Sequence, residues 1–293
     1  MKKTFTALLI LSLVSCASPI SKFLVKQAET IAPAKVVFQN LSQNADRFEW
    51  QFGDSIISVD SSVVHIYQHS GNYTVTLKAF KGSKVNQSQQ NILIKAPIAC
   101  LVQIETDYGI MTVELSNSTP LHRDNFTKLA EENFYNGTLF HRIIPEFMIQ
   151  GGDPDSKTAT PGAALGAGGP GYTIPAEFND SLVHTKGALA AARQSDAVNP
   201  KRASSGSQFY IVQGKTWTAD VLDRIEAQKN FRYSPAQRQA YLSIGGTPFL
   251  DKDYTVFGHV VSGLDVLDKI AAAQKDGRDR PVKDIKMKIK VIK

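Results

Sequence analysis

Cysteine is nearly absent from this 293-residue chain, occurring only as Cys16 and Cys100. A disulfide framework is therefore excluded, and a single bridge is the most that two thiols allow. No run of about 20 apolar residues exists, so nothing reads as a membrane-spanning helix. Neither charge sign dominates: 33 Lys and Arg face 27 Asp and Glu, a formal +6. That small excess is not gathered into the basic stripe that nucleic acid requires, so no nucleic-acid partner is expected. What is present is ordinary for a globular chain, with 42% hydrophobic and 20% charged residues and length for about two domains.

The first residues carry a targeting pattern. Lys2 and Lys3 precede an apolar run from Ala7 to Val14, broken only by Ser12. Its length and flanks are those of a signal-peptide core. Leu13-Val14-Ser15-Cys16 resembles the bacterial lipobox. The resemblance implies a signal peptide over 1–15, cleavage ahead of Cys16, and lipidation of its thiol. It implies attachment to a membrane through the lipid anchor, since several acyl chains hold where one is marginal. Loss of Lys2 and Lys3 leaves 31 cationic against 27 anionic side chains, +4. Ala17 and Ser18 lack the aspartate associated with inner-membrane retention, so the expectation is an envelope lipoprotein of the outer membrane facing the periplasm. With Cys16 modified, Cys100 is left as a small apolar filler. Residues 16–33 are expected to be a tether; the seventeen from Ser18 to Ala34 show no clean period and reach at most about 60 Å when extended.

From 34 to 96 the pattern becomes short alternating runs. Phe48, Trp50 and Phe52 alternate with polar residues ahead of Gly53-Asp54-Ser55, and Tyr73, Val75 and Leu77 follow Gly71-Asn72. Period-two alternation between turn residues predicts the strands of a small β-sandwich. Trp50-Gln51-Phe52-Gly53-Asp54, His65-Ile66-Tyr67 and Gly71-Asn72-Tyr73-Thr74-Val75 resemble the PKD repeat, an immunoglobulin-like fold, although Ser55 stands where that family usually has glycine. His65 and His69 invite a metal reading, but nothing else converges on them, and no metal site is expected.

The segment 97–293 opens with Val102, Ile104 and Thr106, a turn at Asp107-Tyr108-Gly109, then Met111, Val113 and Leu115: a β-hairpin. Thr119-Pro120 starts a helix, with a capping residue and proline at the first position. Phe126, Leu129, Ala130 and Phe134 keep helical spacing, and Asn136-Gly137 is expected to end it. The run from Phe140 to Asp153, FHRIIPEFMIQGGD, then resembles the central motif of cyclophilin-type peptidyl-prolyl cis-trans isomerases. Ser205-Gly206-Ser207-Gln208-Phe209-Tyr210-Ile211 agrees, as do Phe249-Leu250-Asp251 and Val256-Phe257-Gly258. The resemblance implies a closed eight-stranded antiparallel barrel with capping helices. With the sandwich, the fold class is all-β.

The chemistry such a site must perform is simple. The X-Pro bond rotates over about 18–20 kcal/mol because the nitrogen lone pair is delocalised into the carbonyl. No covalent bond breaks, so neither nucleophile, general base nor cofactor is needed. The catalyst must favour the twisted state, in which the lone pair is localised on nitrogen. A fixed, permanently charged donor does this, and Arg142 suits the task. By resemblance, Arg142, Phe147 and Gln150 are catalytic. The substrate-binding set is Met148, Ala192, Arg193, Gln208, Phe209, Tyr210, Phe249, Leu250 and Tyr254. Phe147, Met148 and Tyr210 would seat the proline, while Gln150 and Gln208 would hold the peptide backbone and orient Arg142. Read from periodicity alone, Phe147, Met148 and Tyr210 are better barrel core, Arg142 a surface ion-pair partner and His141 structural.

The chain also departs from the family. Leu189-Ala190-Ala191-Ala192-Arg193 stands where many members carry Leu-Ser-Met-Ala-Asn. Phe249 replaces a tryptophan used against cyclosporin, Tyr254 a histidine, and Tyr210 a phenylalanine. An insertion of about 214–246 is expected to form two short helices, one with Val221, Leu222 and Ile225 as its stripe. The second begins at a capping box, Ser234-Pro235-Ala236-Gln237. It reads either as a gate at the rim of the site or as surface elaboration. Gly166 to Gly171 fits G-x-G-x-x-G, but no strand precedes it and no helix follows, so no dinucleotide is expected. Gly214-Lys215-Thr216 has Phe209 where a phosphate loop needs glycine. The sequence thus points to a monomeric prolyl isomerase acting on proline-containing polypeptides of the envelope. A proline-peptide-binding chaperone or scaffold is the alternative, and an adhesion role for the first domain a third reading.

Overall fold

The computed structural model describes residues 17–67, 70–95 and 99–292. The signal peptide, the lipidation position Cys16 and His69 lie outside the described residues. The chain divides into two compact units, one up to Ala96 and one from Pro97 onward.

The first unit contains β1 (Phe23–Ala28), β2 (Ala34–Asn40), β3 (Arg47–Gln51), β4 (Ile57–Ser58), β5 (Val63–Tyr67), β6 (Gly71–Lys81) and β7 (Lys84–Ile94). Two antiparallel sheets form, in the orders β1-β2-β5 and β4-β3-β6-β7. The alternation seen in sequence places Trp50, Phe52, Val75 and Leu77 in the core with Phe23, Val36 and Phe38. Phe23 meets Trp50 edge-on at 5.2 Å, and Phe38 meets Phe52 at 5.5 Å. The Trp50 indole N–H donates to the Asp60 carbonyl at 3.0 Å, so its burial leaves no orphaned donor.

Two expectations are corrected here. Residues 16–33 are not simply a tether, because Phe23 to Ala28 pair with β2 and Phe23 is 3% exposed. Phe23 is the one aromatic between Ser18 and Ala34, so no periodic signal announced the strand; the partner strand supplies it. The domain therefore begins earlier than residue 34. Ser55 takes a φ of 72°, a region that glycine enters without cost. The His65 Nε2 lies 2.7 Å from Asp54 Oδ2 and its ring stacks on Phe52 at 4.1 Å. Among the described residues no cluster of His, Cys, Asp or Glu could hold a metal ion.

In the second unit the elements are β8 (Cys100–Thr106), β9 (Gly109–Leu115), α1 (Pro120–Glu131), β10 (Phe140–Ile144), β11 (Met148–Gly151), β12 (Thr173–Ile174), β13 (Ala188–Ala191), β14 (Ser204–Ser205), β15 (Phe209–Val212), α2 (Ala219–Lys229), α3 (Pro235–Ser243), β16 (Val256–Ser262), α4 (Leu264–Ala271) and β17 (Lys288–Ile292). Eight strands make one curled antiparallel sheet, in the order β10-β11-β15-β13-β16-β9-β8-β17, while β12 and β14 pair separately. The expected closed barrel is corrected: β10 and β17 share no ladder. The segments ahead of both strands meet at a bridge between Leu139 and Lys286, where Gly137 N–H donates to Met287 O at 3.0 Å, Met287 N–H to Thr138 O at 2.9 Å and Phe140 N–H to Ile285 O at 2.9 Å. The pairing of β10 with β11 is itself interrupted between Phe140 and Arg142, which bends the edge strand.

The concave face is filled by Ile143, Ile149, Leu189, Phe209, Ile211 and Phe257, against which α1 sets Phe126, Leu129 and Ala130 and α4 sets Leu267 and Ile270. Helix α1 stops at Glu131, short of the expected Asn136-Gly137, because Asn133 enters the left-handed region at φ 58°. Its start is also not capped as expected. Pro120 is at the first turn, yet the Thr119 side chain makes no cap bond. Instead Glu177, far along the chain, accepts from the backbone N–H groups of Leu121 at 3.1 Å and His122 at 3.0 Å. The insertion folds as α2 and α3, with Leu222 and Ile225 buried and the Ser234–Gln237 capping box formed.

Candidate active site

The side chains of a strand alternate between its faces, and the registers of β10, β11, β15, β13 and β16 decide which residues share one. Arg142 is opposite Gln150, Gln150 opposite Tyr210, Tyr210 opposite Ala190, and Ala190 opposite Val256. These five form a row across the convex face. Met148, Ala188, Ala190, Tyr210, Val212 and Val256 make a second apolar cluster there, with Phe147, Ala192, Leu250 and Tyr254 packed on it. Phe147, Met148 and Tyr210 are thus not part of the barrel core that periodicity favoured. Phe209, one residue from Tyr210, faces the other way. It is 1% exposed in the concave core, touching Phe126 at 5.4 Å edge-on, so its expected substrate contact is corrected.

Arg142, Phe147, Met148, Gln150, Ala192, Arg193, Tyr210, Leu250 and Tyr254 together line one cavity of about 190 Å³. Gln208 is set behind it: its Nε2 donates to the Gly168 carbonyl at 2.8 Å, and its Oε1 accepts from Gln150 Nε2 at 3.2 Å. The two glutamines therefore brace each other, and neither bonds Arg142. Phe249 sits at the rim, 44% exposed, stacked on Phe147 at 5.8 Å. Beyond Gln150 a wider groove of about 900 Å³ runs along Gly166–Tyr172 and Gln194–Lys201, so the small cavity opens beside a channel wide enough for extended chain.

The two arginines differ in what they can offer. Arg193 is committed: Nε donates to the Asp253 carbonyl at 2.8 Å, one terminal nitrogen to Gln194 O at 3.0 Å, and its guanidinium lies over Tyr254 at 4.6 Å. Arg142 has an ion pair with Asp279 at 3.9 Å, and its side chain is 45% exposed. Beyond hydrogen-bond length, that contact leaves the guanidinium donors for a ligand. His141 is buried; burial outweighs Asp153 and holds its pKa below the usual range. Burial, with Tyr254 and Asp251 nearby, raises the Tyr210 phenol well above its ordinary pKa, so its proton is retained.

Three contributors had no signal in sequence reasoning. Asp279 comes from the loop after α4, where its own carbonyl accepts from the Ile143 N–H at 2.8 Å. Trp217, from the insertion, meets Phe249 at 6.1 Å. His184 bonds the Tyr210 hydroxyl at 2.9 Å through Nε2. Asp251 was in view as part of the Phe249-Leu250-Asp251 motif but carried no assigned role.

Comparison with known proteins agrees with this geometry. Residues 101–291 match the cyclophilin type peptidyl-prolyl cis-trans isomerase/CLD family, and residues 16–96 match the PKD domain family. The chain belongs to the cyclophilin-type peptidyl-prolyl cis-trans isomerases, with a PKD domain ahead of the isomerase domain. A Streptococcus pyogenes protein provisionally named a bifunctional phosphatase/peptidyl-prolyl cis-trans isomerase is 40% identical over 190 residues, 63% of this chain but only 37% of that one. A Staphylococcus saprophyticus protein, provisionally named a peptidyl-prolyl cis-trans isomerase, is 36% identical over 186 residues, 62% of this chain and 86% of its own length. The crystal structure of a Cryptosporidium parvum cyclophilin type isomerase superposes with a TM-score of 0.50 at 25% identity, covering 67% of this chain and 98% of that chain.

Proposed function

We propose that the second unit rotates X-Pro bonds in envelope or secreted proteins, with Arg142 as the group that stabilises the twisted bond. The observation that carries this is the pairing of an uncommitted guanidinium with a cavity of about 190 Å³ whose wall includes Phe147, Met148 and Tyr210. Proline seated against Phe147, Met148 and Tyr210 presents its nitrogen toward Arg142. In the planar ground state that nitrogen is a poor acceptor. In the twisted state its lone pair is localised, and a donor already in place gains strength only then. A 10⁵-fold acceleration needs about 7 kcal/mol, shared between this bond and the seating of the proline. Gln150, braced by Gln208, holds the backbone beside the bond. The cavity is complete within one chain, which supports action as a monomer.

The test is isomerisation of a short X-Pro peptide by wild type and Arg142→Ala, with peptide affinity measured beside the rate. Wild type should accelerate exchange, and the variant should lose most of kcat/KM while binding falls far less. Wild type that binds such peptides without accelerating them favours the chaperone or scaffold reading instead.

The anchoring proposal rests on the lipobox: lipidated Cys16 holds the protein at the outer membrane, facing the periplasm. Cys16→Ser should appear in the soluble fraction or remain unprocessed. Mature variant that still fractionates with membranes excludes this anchor.

A further inference from the structure

Behind the cavity runs a chain of buried polar groups that joins it to the insertion. Tyr233, between α2 and α3, and Tyr241, on α3, each donate a hydroxyl hydrogen to Asp251 Oδ2 at 2.6 Å. Asp251 Oδ1 accepts from the His184 backbone N–H at 2.8 Å and meets His184 Nδ1 at 2.7 Å. His184 Nε2 in turn meets the Tyr210 hydroxyl at 2.9 Å. Tyr210 is a wall of the proline cavity. None of the five residues is more than 6% exposed, so water does not replace a bond that is lost.

Donor and acceptor roles follow link by link. A carboxylate only accepts, and Asp251 is surrounded by four donors. The Tyr233 and Tyr241 phenols keep their protons, since burial first and Asp251 second raise both far above the ordinary phenol range. His184 therefore turns an Nδ1–H toward Asp251. The Tyr210 hydroxyl keeps its proton and has His184 Nε2 as its one hydrogen-bond partner among the described residues, so it donates to Nε2, and its ring is held at one place in the cavity wall. The insertion grips the same segment a second time: Lys229 of α2 donates to the carbonyls of Phe249 at 2.8 Å and Asp251 at 2.6 Å.

We propose that the insertion sets the shape of the proline cavity, with Tyr233 and Tyr241 as positioning residues that act through Asp251 and His184 on Tyr210. The proposal rests on the isomerase reading and adds what the insertion does there. It makes the insertion part of substrate selection, neither a passive elaboration nor a gate.

The experiment compares four full-length proteins: wild type, Tyr233→Phe/Tyr241→Phe, Tyr210→Phe, and all three substitutions together. KM, kcat and the dissociation constant of an X-Pro peptide are measured for each. The double variant should lose about five-fold in kcat/KM, mainly through KM, and the same loss should be absent once Tyr210 is phenylalanine, because groups in one network are not additive. A loss that persists undiminished in the Tyr210→Phe background, or no loss at all, overturns the proposal. A general destabilisation moves both backgrounds alike, so it cannot imitate the expected result. Should wild type fail to isomerise, the isomerase reading falls, and the same cycle read in peptide affinity still decides the coupling. Should the double variant not fold, Tyr241→Phe alone takes its place. Nitrogen shifts of the His184 ring give a readout independent of activity: the hydrogen is expected on Nδ1, and a hydrogen on Nε2 overturns the chain as drawn.

Discussion

Asp279 Oδ2 lies 3.9 Å from Arg142 Nε, near enough to attract and too far to hold a hydrogen bond. Such a half-exposed pair contributes little, of order 1 kcal/mol or less. The guanidinium is therefore placed near the cavity without being consumed. Asp279→Asn should leave kcat/KM within about two-fold of wild type. Arg142→Lys should recover little of what Arg142→Ala loses, because a flexible ammonium does not reproduce a planar fork. A lysine variant working at the wild-type rate would show that charge alone suffices.

Phe249 offers no N–H to a ligand, and the neighbouring indole does not substitute for it. Trp217 Nε1 already donates to the Gly246 carbonyl at 2.9 Å. Cyclosporin should accordingly bind Phe249→Trp about ten-fold more tightly than wild type, the worth of one hydrogen bond. Titration calorimetry of both proteins measures it, and equal affinities would remove this position from drug recognition.

The N-terminus of α1 is capped from a distance. Glu177 Oε1 and Oε2 take the N–H groups of Leu121 and His122, and Oε2 also meets His122 Nδ1 at 2.7 Å. Glu177→Ala should cost about 1–2 kcal/mol, the range of a lost cap with its favourable charge at the helix start. Glu177→Gln keeps one acceptor and should cost less. Urea denaturation of both variants reports the difference, and an unchanged midpoint for Glu177→Ala would mean that Glu177 does not cap the helix.

His122 is buried beside Glu177, yet burial outweighs that carboxylate and holds its pKa below the usual histidine value. His141, also buried, is lowered in the same way. The unfolded chain takes up these protons near pH 6.5, while the folded chain resists them. Stability should therefore fall as pH drops below about 6.5 and continue to fall until the folded pKa values are passed. His122→Asn should flatten part of that slope in denaturation midpoints taken between pH 7 and 5.5. A midpoint that rises on acidification would contradict the neutral, buried state.

Local pattern carried much of this protein. Alternation and turn residues located the β8–β9 hairpin and the strands around Trp50 and Val75, since a half-buried strand must repeat every two residues. The capping box at Ser234 and Gln237 was legible because its bonds lie within one turn. The motif around Arg142, together with the segments around Ala192, Tyr210 and Leu250, also brought the cavity lining into view. Distance along the chain explains what was not legible. Phe23 belongs to a strand only because β2 lies beside it, and the α1 cap comes from Glu177 rather than from the adjacent Thr119. Sheet register separated Tyr210 from Phe209, turning one to the cavity and the other to the core, where sequence had grouped them. Pairing at the sheet ends joins the segments ahead of β10 and β17, while the two strands themselves share no ladder. The link from Tyr233 and Tyr241 to Tyr210 has no periodicity at all. Hydrogen bonds between residues far apart in sequence follow from where packing brings them, and that is fixed only when the insertion folds against the sheet.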